Sequence, residues 1–127
     1  MSSNMDEPQP DALRGRHLLV VEDEYMIAAE LARALEDRGV NVIGPVGSIE
    51  DALELLGAED RIDGAVLDIN LRGERAYPIA DALREREVPF IFATGYDAWS
   101  IPEAYAEVPR IEKPVDTRAL ARLLPLS

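Results

Sequence analysis

The chain has 127 residues, 47% of them apolar, enough for one globular domain that buries roughly two thirds of its unfolded surface. Its 25 acidic and 13 basic residues leave a net charge of -12, which argues against sequence-independent binding to nucleic acid or to an anionic membrane, since both need a basic surface. There is no cysteine and a single histidine, His17, so disulfides, thiolate zinc sites, cysteine nucleophiles and sites built from several imidazoles are excluded.

Met1 to Pro10 (MSSNMDEPQP) has no basic run ahead of an apolar one and does not read as a secretory signal. No apolar stretch approaches the roughly 20 residues that span a bilayer. A cytoplasmic location is expected. Residues 1–15 are polar and proline-bearing and are expected to form a disordered lead-in, with the folded domain over 16–127.

Leu18 to Val21 is a continuous apolar run, too short for a helix and typical of a strand buried on both faces. A helix pattern follows from about Glu24 to Asp37, with Ile27, Leu31, Ala34 and Leu35 as its stripe and Gly39 as its stop. Val40 to Val46 reads as a second strand ending at Gly44-Pro45. Ser48 and Asp51 suggest a capped helix start, with Ile49, Leu53 and Leu56 facing inward and Gly57 ending the helix. Ile62 to Ile69 is a third strand, and Leu71 to Ala76 a polar loop. Tyr77 to Glu87 reads as a helix that tolerates Pro78 in its first turn. Val88 to Ala93 is a fourth strand and Pro109 to Glu112 a short fifth, before a last helix capped by Asp116 and running through Leu124. Between them, Gly95 to Val108 has Pro102 and a poor apolar period, leaving room for a turn or two of helix at most. This alternation predicts an α/β domain, a parallel sheet with helices on both faces.

In such sheets, ligands sit beyond the carboxyl ends of the strands, where the strand order reverses. The first strand ends in Glu22-Asp23, the third near Asp68, the fourth in Thr94 and the fifth in Lys113-Pro114. Three carboxylates, a hydroxyl and an ammonium are thus expected on one edge. Two carboxylates about 4 Å apart repel by on the order of 4 kcal/mol at an effective dielectric near 20, so a hard divalent cation on oxygen ligands fits, and Mg²⁺ suits a site with few carboxylates. Taken singly, each residue has an ordinary explanation: an acid at a helix N-terminus, an Asp68/Asn70 turn, a solvated lysine. Their recurrence at the ends of successive strands does not.

The ordered set VVEDE, AVLDIN, FATGY and EKP resembles the response-regulator receiver domain of bacterial two-component systems, over about His17 to Leu124. The resemblance implies a five-stranded doubly wound sheet of the flavodoxin-like (CheY-like) kind, here with a short or irregular fourth helix. It implies that Asp68 accepts a phosphoryl group from a sensor histidine kinase or a histidine phosphotransfer protein. It further implies that Asp23, Asp68 and the backbone carbonyl of Asn70 ligate Mg²⁺, with Glu22 acting through water. Lys113 would pair with the acids and then with phosphate, Thr94 would bond a phosphoryl oxygen, and the Lys113-Pro114 bond would be cis. Such a protein takes part in its own phosphorylation but turns over no outside substrate.

One departure stands out. Receivers commonly carry an aromatic residue three positions before the lysine, and here that position is Arg110. With PFIFATGY, this resembles an alphaproteobacterial subgroup of mostly single-domain receivers with a Phe-Ala-Thr-Gly signature, associated with general stress signalling. Tyr96 and Trp99 either pack on the sheet's edge or, for Tyr96, shield the phosphorylated site. Two other classes compete with a stand-alone phosphoacceptor: a Mg²⁺-dependent enzyme acting on an outside phosphoryl substrate, and an unphosphorylated interaction module.

Overall fold

The structure is a computed structural model that describes residues 12–95 and 101–126. In chain order its elements are β1 (His17–Val21), α1 (Tyr25–Asp37), β2 (Asn41–Val46), α2 (Ile49–Ala58), β3 (Gly64–Asp68), β4 (Asn70–Leu71), β5 (Glu74–Arg75), α3 (Tyr77–Glu85), β6 (Phe90–Thr94), β7 (Arg110–Glu112) and α4 (Thr117–Leu123). Five of the strands form one parallel sheet in the order β2-β1-β3-β6-β7, the doubly wound flavodoxin-like arrangement, whose order reverses between β1 and β3.

The period-2 alternation of side chains divides the core between the two faces of this sheet. Leu18 and Val20 of β1, Val66 of β3 and Ile91 of β6 pack with Leu31 and Leu35 of α1 and Leu120 of α4. Leu19, Val21, Leu67 and Phe92 point the other way, onto Ala52 and Leu56 of α2 and Ile79 and Leu83 of α3. Both faces of β3 and β6 are therefore buried, which is why their sequences are apolar runs with no polar alternation.

The folded unit starts earlier than expected. Residues 12–15 form a turn whose Gly15 N–H donates to Gly39 O at 2.8 Å, and Leu13 is fully buried against the α1 and α4 side of the sheet. Burying a leucine is worth roughly 1.5–3 kcal/mol, enough to hold such a turn. Residues 1–11 of the expected lead-in lie outside the described residues.

Helix ends follow local chemistry. After α1, Val40 N–H bonds Leu35 O and Gly39 N–H bonds Glu36 O, a Schellman stop with Gly39 at φ 87°. The same motif ends α3 two residues before the expected Glu87, with Val88 N–H on Leu83 O, Glu87 N–H on Arg84 O, and Glu87 itself in the left-handed seat at φ 58°. The stripe of α1 is rotated slightly from expectation: Ala28 and Ala32 are buried with Leu31 and Leu35, whereas Ile27 and Ala34 are half-buried. In α2, Ser48 accepts from Asp51 N–H as expected. Two expectations for that helix fail, however. Gly57 lies inside it rather than ending it, and Leu53 is exposed while Ala52 faces the core. Asp116 caps α4 by accepting from Arg118 N–H.

Leu71 to Ala76 is not the plain loop expected. β4 and β5 pair as a two-strand hairpin across the two-residue turn Arg72-Gly73, with φ values of 53° and 88°. Two consecutive positive φ values are the mark of the type I′ turn, which suits the twist of a tight hairpin.

Between β6 and β7 the described residues contain one 3-10 turn, Glu103–Tyr105, and no α-helix. Tyr105 anchors that turn. Its ring stacks on Tyr77 at 4.6 Å, meets Phe92 edge-on, lies under the Arg84 guanidinium and donates its hydroxyl to Asp81 at 2.7 Å. Arg84 also bonds Ala104 O and the Glu107 carboxylate. Tyr96 and Trp99 lie outside the described residues. No helix among the described residues is long and apolar enough to cross a membrane.

Candidate functional site

Among the described residues the buried polar or charged side chains are Glu22, Asp68 and Thr94, each at most 5% exposed, and all three stand at the carboxyl edge of the sheet. Glu22 and Asp23 follow β1, Asp68 ends β3, Thr94 ends β6 and Lys113 follows β7. Parallel register brings them together: Val21 pairs with Leu67, Asp68 with Ala93 and Thr94 with Glu112.

Oxygens of Glu22, Asp23 and Asp68 lie within 4.8 Å of one another. Backbone N–H groups fix each acid. Asn70 N–H donates to Asp68 Oδ1 at 3.1 Å, Glu24 N–H to Glu22 Oε2 at 2.9 Å and Arg72 N–H to Asp23 Oδ2 at 3.0 Å. The hairpin that presents Arg72 is itself braced by Gly73 N–H on Asn70 Oδ1 at 3.0 Å. Gly47 comes so close that a Cβ there would sit 3.2 Å from Asp23 Cα, so the loop after β2 also confines the acid pair. Lys113 Nζ donates to Asp68 Oδ2 at 3.0 Å and to Glu22 Oε1 at 3.2 Å. The Lys113-Pro114 bond is cis, as is Gly44-Pro45, which was not anticipated. Thr94 Oγ1 points toward Ile111 O at 3.5 Å, and Thr94 O accepts from Lys113 N–H at 3.0 Å.

This crowding shows in the acidities. Burial pushes Glu22 up to about 7, against the pull of the Glu24 N–H, and the neighbouring Asp68 charge adds to the rise. Burial likewise raises Asp68 despite the bonds from Lys113 and Asn70. Burial lowers Lys113, but its pairing with Asp68 and Glu22 outweighs that and leaves it raised. Buried like charges held together at one point favour a cation, and an all-oxygen donor set of carboxylates fits a hard divalent ion such as Mg²⁺.

Every site residue expected from the sequence therefore lies on this edge: Glu22, Asp23, Asp68, Asn70, Thr94 and Lys113. Asp23, Asp68, Asn70 and Lys113 line a cleft of about 240 Å³ together with Glu24, Arg72, Gly73 and Gly95. Arg72 reaches the cleft on the turn of the β4–β5 hairpin, whose two-residue strands leave no alternation pattern in the sequence. The Arg-Gly pair between Leu71 and Glu74 was the available signal. Arg110, in the position of the usual aromatic, is exposed on β7.

Residues 18–124 match the family model of the response regulator receiver domain. The chain belongs to this family, the receiver domains of two-component systems. It is similar to SdrG from Sphingomonas melonis Fr1, whose solution structure is 37% identical with a TM-score of 0.76, covering 88% of this chain and 93% of that one. A BeF3-activated conformation of SdrG, from Pseudomonas melonis Fr1, is 36% identical with a TM-score of 0.70, covering 84% and 90% of the two chains. The phyllosphere-induced regulator PhyR of Methylorubrum extorquens (strain AM1) is 33% identical over 81 residues, 62% of this chain and 30% of PhyR. The sensory transduction protein LytT of Bacillus subtilis (strain 168) is 28% identical over 111 residues, 84% of this chain and 46% of LytT. The chain thus spans less than half the length of these two curated relatives. The likeness to SdrG and PhyR makes it a CheY-like receiver of the alphaproteobacterial type.

Proposed function

We propose that this receiver accepts a phosphoryl group on Asp68 from a phosphohistidine of a sensor kinase or phosphotransfer protein, in a Mg²⁺-dependent relay. The reading is supported above all by one arrangement: a buried carboxylate at the switch point of the sheet, held by Lys113 and the Asn70 N–H beside two further carboxylates. Asp23 and Asp68, with the Asn70 carbonyl, would hold the metal, and Glu22 would reach it through water. Bound there, Mg²⁺ neutralises charge and polarises phosphoryl oxygens.

The chain's own groups do the rest. An Asp68 oxygen forms a bond to phosphorus as the bond from phosphorus to the histidine nitrogen breaks, and the electron pair leaves with the imidazole. Phosphoryl transfer asks mainly for positioning and neutralisation of charge. The N–H of Asn70 orients the nucleophile, Lys113 stays protonated to meet a phosphoryl oxygen, and the Thr94 hydroxyl is within the same strand ends to bond another. The phosphorylated form then signals by binding a protein partner or passing the phosphoryl group on. No outside substrate is turned over. A cytoplasmic location and a role in general stress signalling accompany this reading, the latter through the Phe-Ala-Thr-Gly signature and the likeness to SdrG and PhyR.

Intact mass after incubation with Mg²⁺ and acetyl phosphate tests it. One added phosphoryl group is expected, absent with EDTA. Absence of the adduct with acetyl phosphate and with a panel of phosphorylated histidine kinases would overturn the reading.

A further inference from the structure

We propose that Arg72 is the entry cation of the acid cleft: its guanidinium binds the phosphoryl group of the incoming donor before transfer to Asp68. The inference rests on the phosphoacceptor reading above and names a binding residue for it.

Arg72 lines the same cleft as Asp23, Asp68, Asn70 and Lys113, at its exposed rim. Its hydrogen bonding consists of its own N–H on Asp23 Oδ2, so its guanidinium has no partner among the described residues. Arg33, Arg118 and Arg122 also show no side-chain partner among the described residues, so what sets Arg72 apart is its place on the wall of an acidic cleft. Arg61 and Arg84 are each paired with a carboxylate, and Arg86 with backbone carbonyls. The backbone adds a second oddity. Arg72 sits at φ 53° in a tight turn beside Gly73, a seat that asparagine or glycine fills at lower cost. The turn's geometry and the bond to Asp23 need only a main chain there, so neither accounts for a long cationic side chain.

Charge balance supplies the reason. Glu22, Asp23 and Asp68 would be offset by Lys113 and a bound divalent ion, and Glu24 stands on the rim as a further acid. A donor phosphoryl group brings about one and a half to two more negative charges into this balance. Lys113 already spends two of its three donors on Glu22 and Asp68. Arg72 is the remaining cation of the cleft, and a guanidinium presents a planar fork matched to phosphate oxygens. With acetyl phosphate, the phosphorus–oxygen bond to acetate breaks, acetate leaves with the electron pair, and an Asp68 oxygen forms the new bond. Arg72 keeps its charge and proton throughout.

Arg72→Gly separates side chain from backbone, because glycine keeps the N–H to Asp23 and accepts the positive φ. The full chain is labelled with acetyl phosphate at saturating Mg²⁺ and followed by intact mass at low and high salt. Mg²⁺ affinity is read in parallel from thermal shifts. R72G is expected to lower the second-order rate of labelling roughly 3- to 10-fold and to flatten its salt dependence, as loss of a rim charge does. Mg²⁺ affinity should stay unchanged, and Arg72→Lys should restore most of the rate. Labelling of R72G at the wild-type rate overturns the inference alone. So does a parallel fall in Mg²⁺ affinity, which would mean that the residue acts through Asp23. A wild-type chain that no donor labels overturns the phosphoacceptor reading and this inference together.

Discussion

Strand β6 serves two constructions of opposite character. Its last residue, Thr94, is buried at the strand end just before Gly95 of the acid cleft, while two residues earlier Phe92 meets the rings of Tyr77 and Tyr105. The cleft gathers like charges in a buried place, and that burial makes Glu22 and Asp68 weaker acids than they ordinarily are. The tyrosine stack gathers rings, a hydrogen bond and an arginine, all of which favour the folded chain. One region works against stability and the other for it. The difference locates function where the polypeptide sustains a cost that folding alone would not select.

The comparison is most sharply tested at Asp68. Asp68→Asn is expected to abolish phosphoryl labelling altogether, read by intact mass, while the tyrosine region keeps its near-ultraviolet circular dichroism. A labelled D68N chain would move the acceptor elsewhere. Next in size, Lys113→Met leaves Glu22 and Asp68 buried without their cation. Urea unfolding at pH 8 without metal should show a loss of about 2 kcal/mol, somewhat less than a fully buried pair costs, with much of it returned by Mg²⁺. Equal loss with and without Mg²⁺ would count against a shared charge site.

Titration gives a smaller effect of definite sign. Glu22 has a folded pKa of about 7, above its unfolded value of 4.5, so the metal-free fold holds a proton that the unfolded chain releases between those values. Stability from this group therefore falls as pH rises from about 4.5 to 7, and Asp68 acts in the same direction. Mg²⁺ competes with that proton, so its thermal stabilisation should be slight at pH 5 and full at pH 8. Glu22→Gln should flatten the metal-free trend. A Mg²⁺ increment independent of pH would sink the argument. Smallest of all, Tyr105→Phe removes only the bond to Asp81 and should cost about 0.5–1 kcal/mol in urea unfolding, with Mg²⁺ affinity untouched. Coupling of that variant to Mg²⁺ would show that the two constructions are not separate.

Sequence patterns disclosed the cleft and missed the stack, for a physical reason. Glu22, Asp23, Asp68 and Thr94 each interrupt an apolar run at a strand's carboxyl end, Lys113 follows the short β7, and parallel pairing fixes where such ends meet. Tyr77 and Tyr105 meet through tertiary packing between α3 and a 3-10 turn, which no local period encodes. The hairpin at Arg72-Gly73 escaped because its strands are two residues long, below the reach of any alternation pattern. Leu13 escaped because its polar neighbours masked one apolar residue that the fold swallows whole. Leu53 faces outward and Ala52 inward because either residue can satisfy an apolar stripe on a short helix, and only packing against the sheet decides between them.

The stacked pair has a use of its own. Tyr77 and Tyr105 lie 4.6 Å apart with ring planes only 8° from parallel, close enough for their electronic transitions to couple. Through Phe92 they touch the strand that ends in Thr94. The chain thus contains an optical gauge, already in place, by which a change at its strand ends could be followed without attaching a dye.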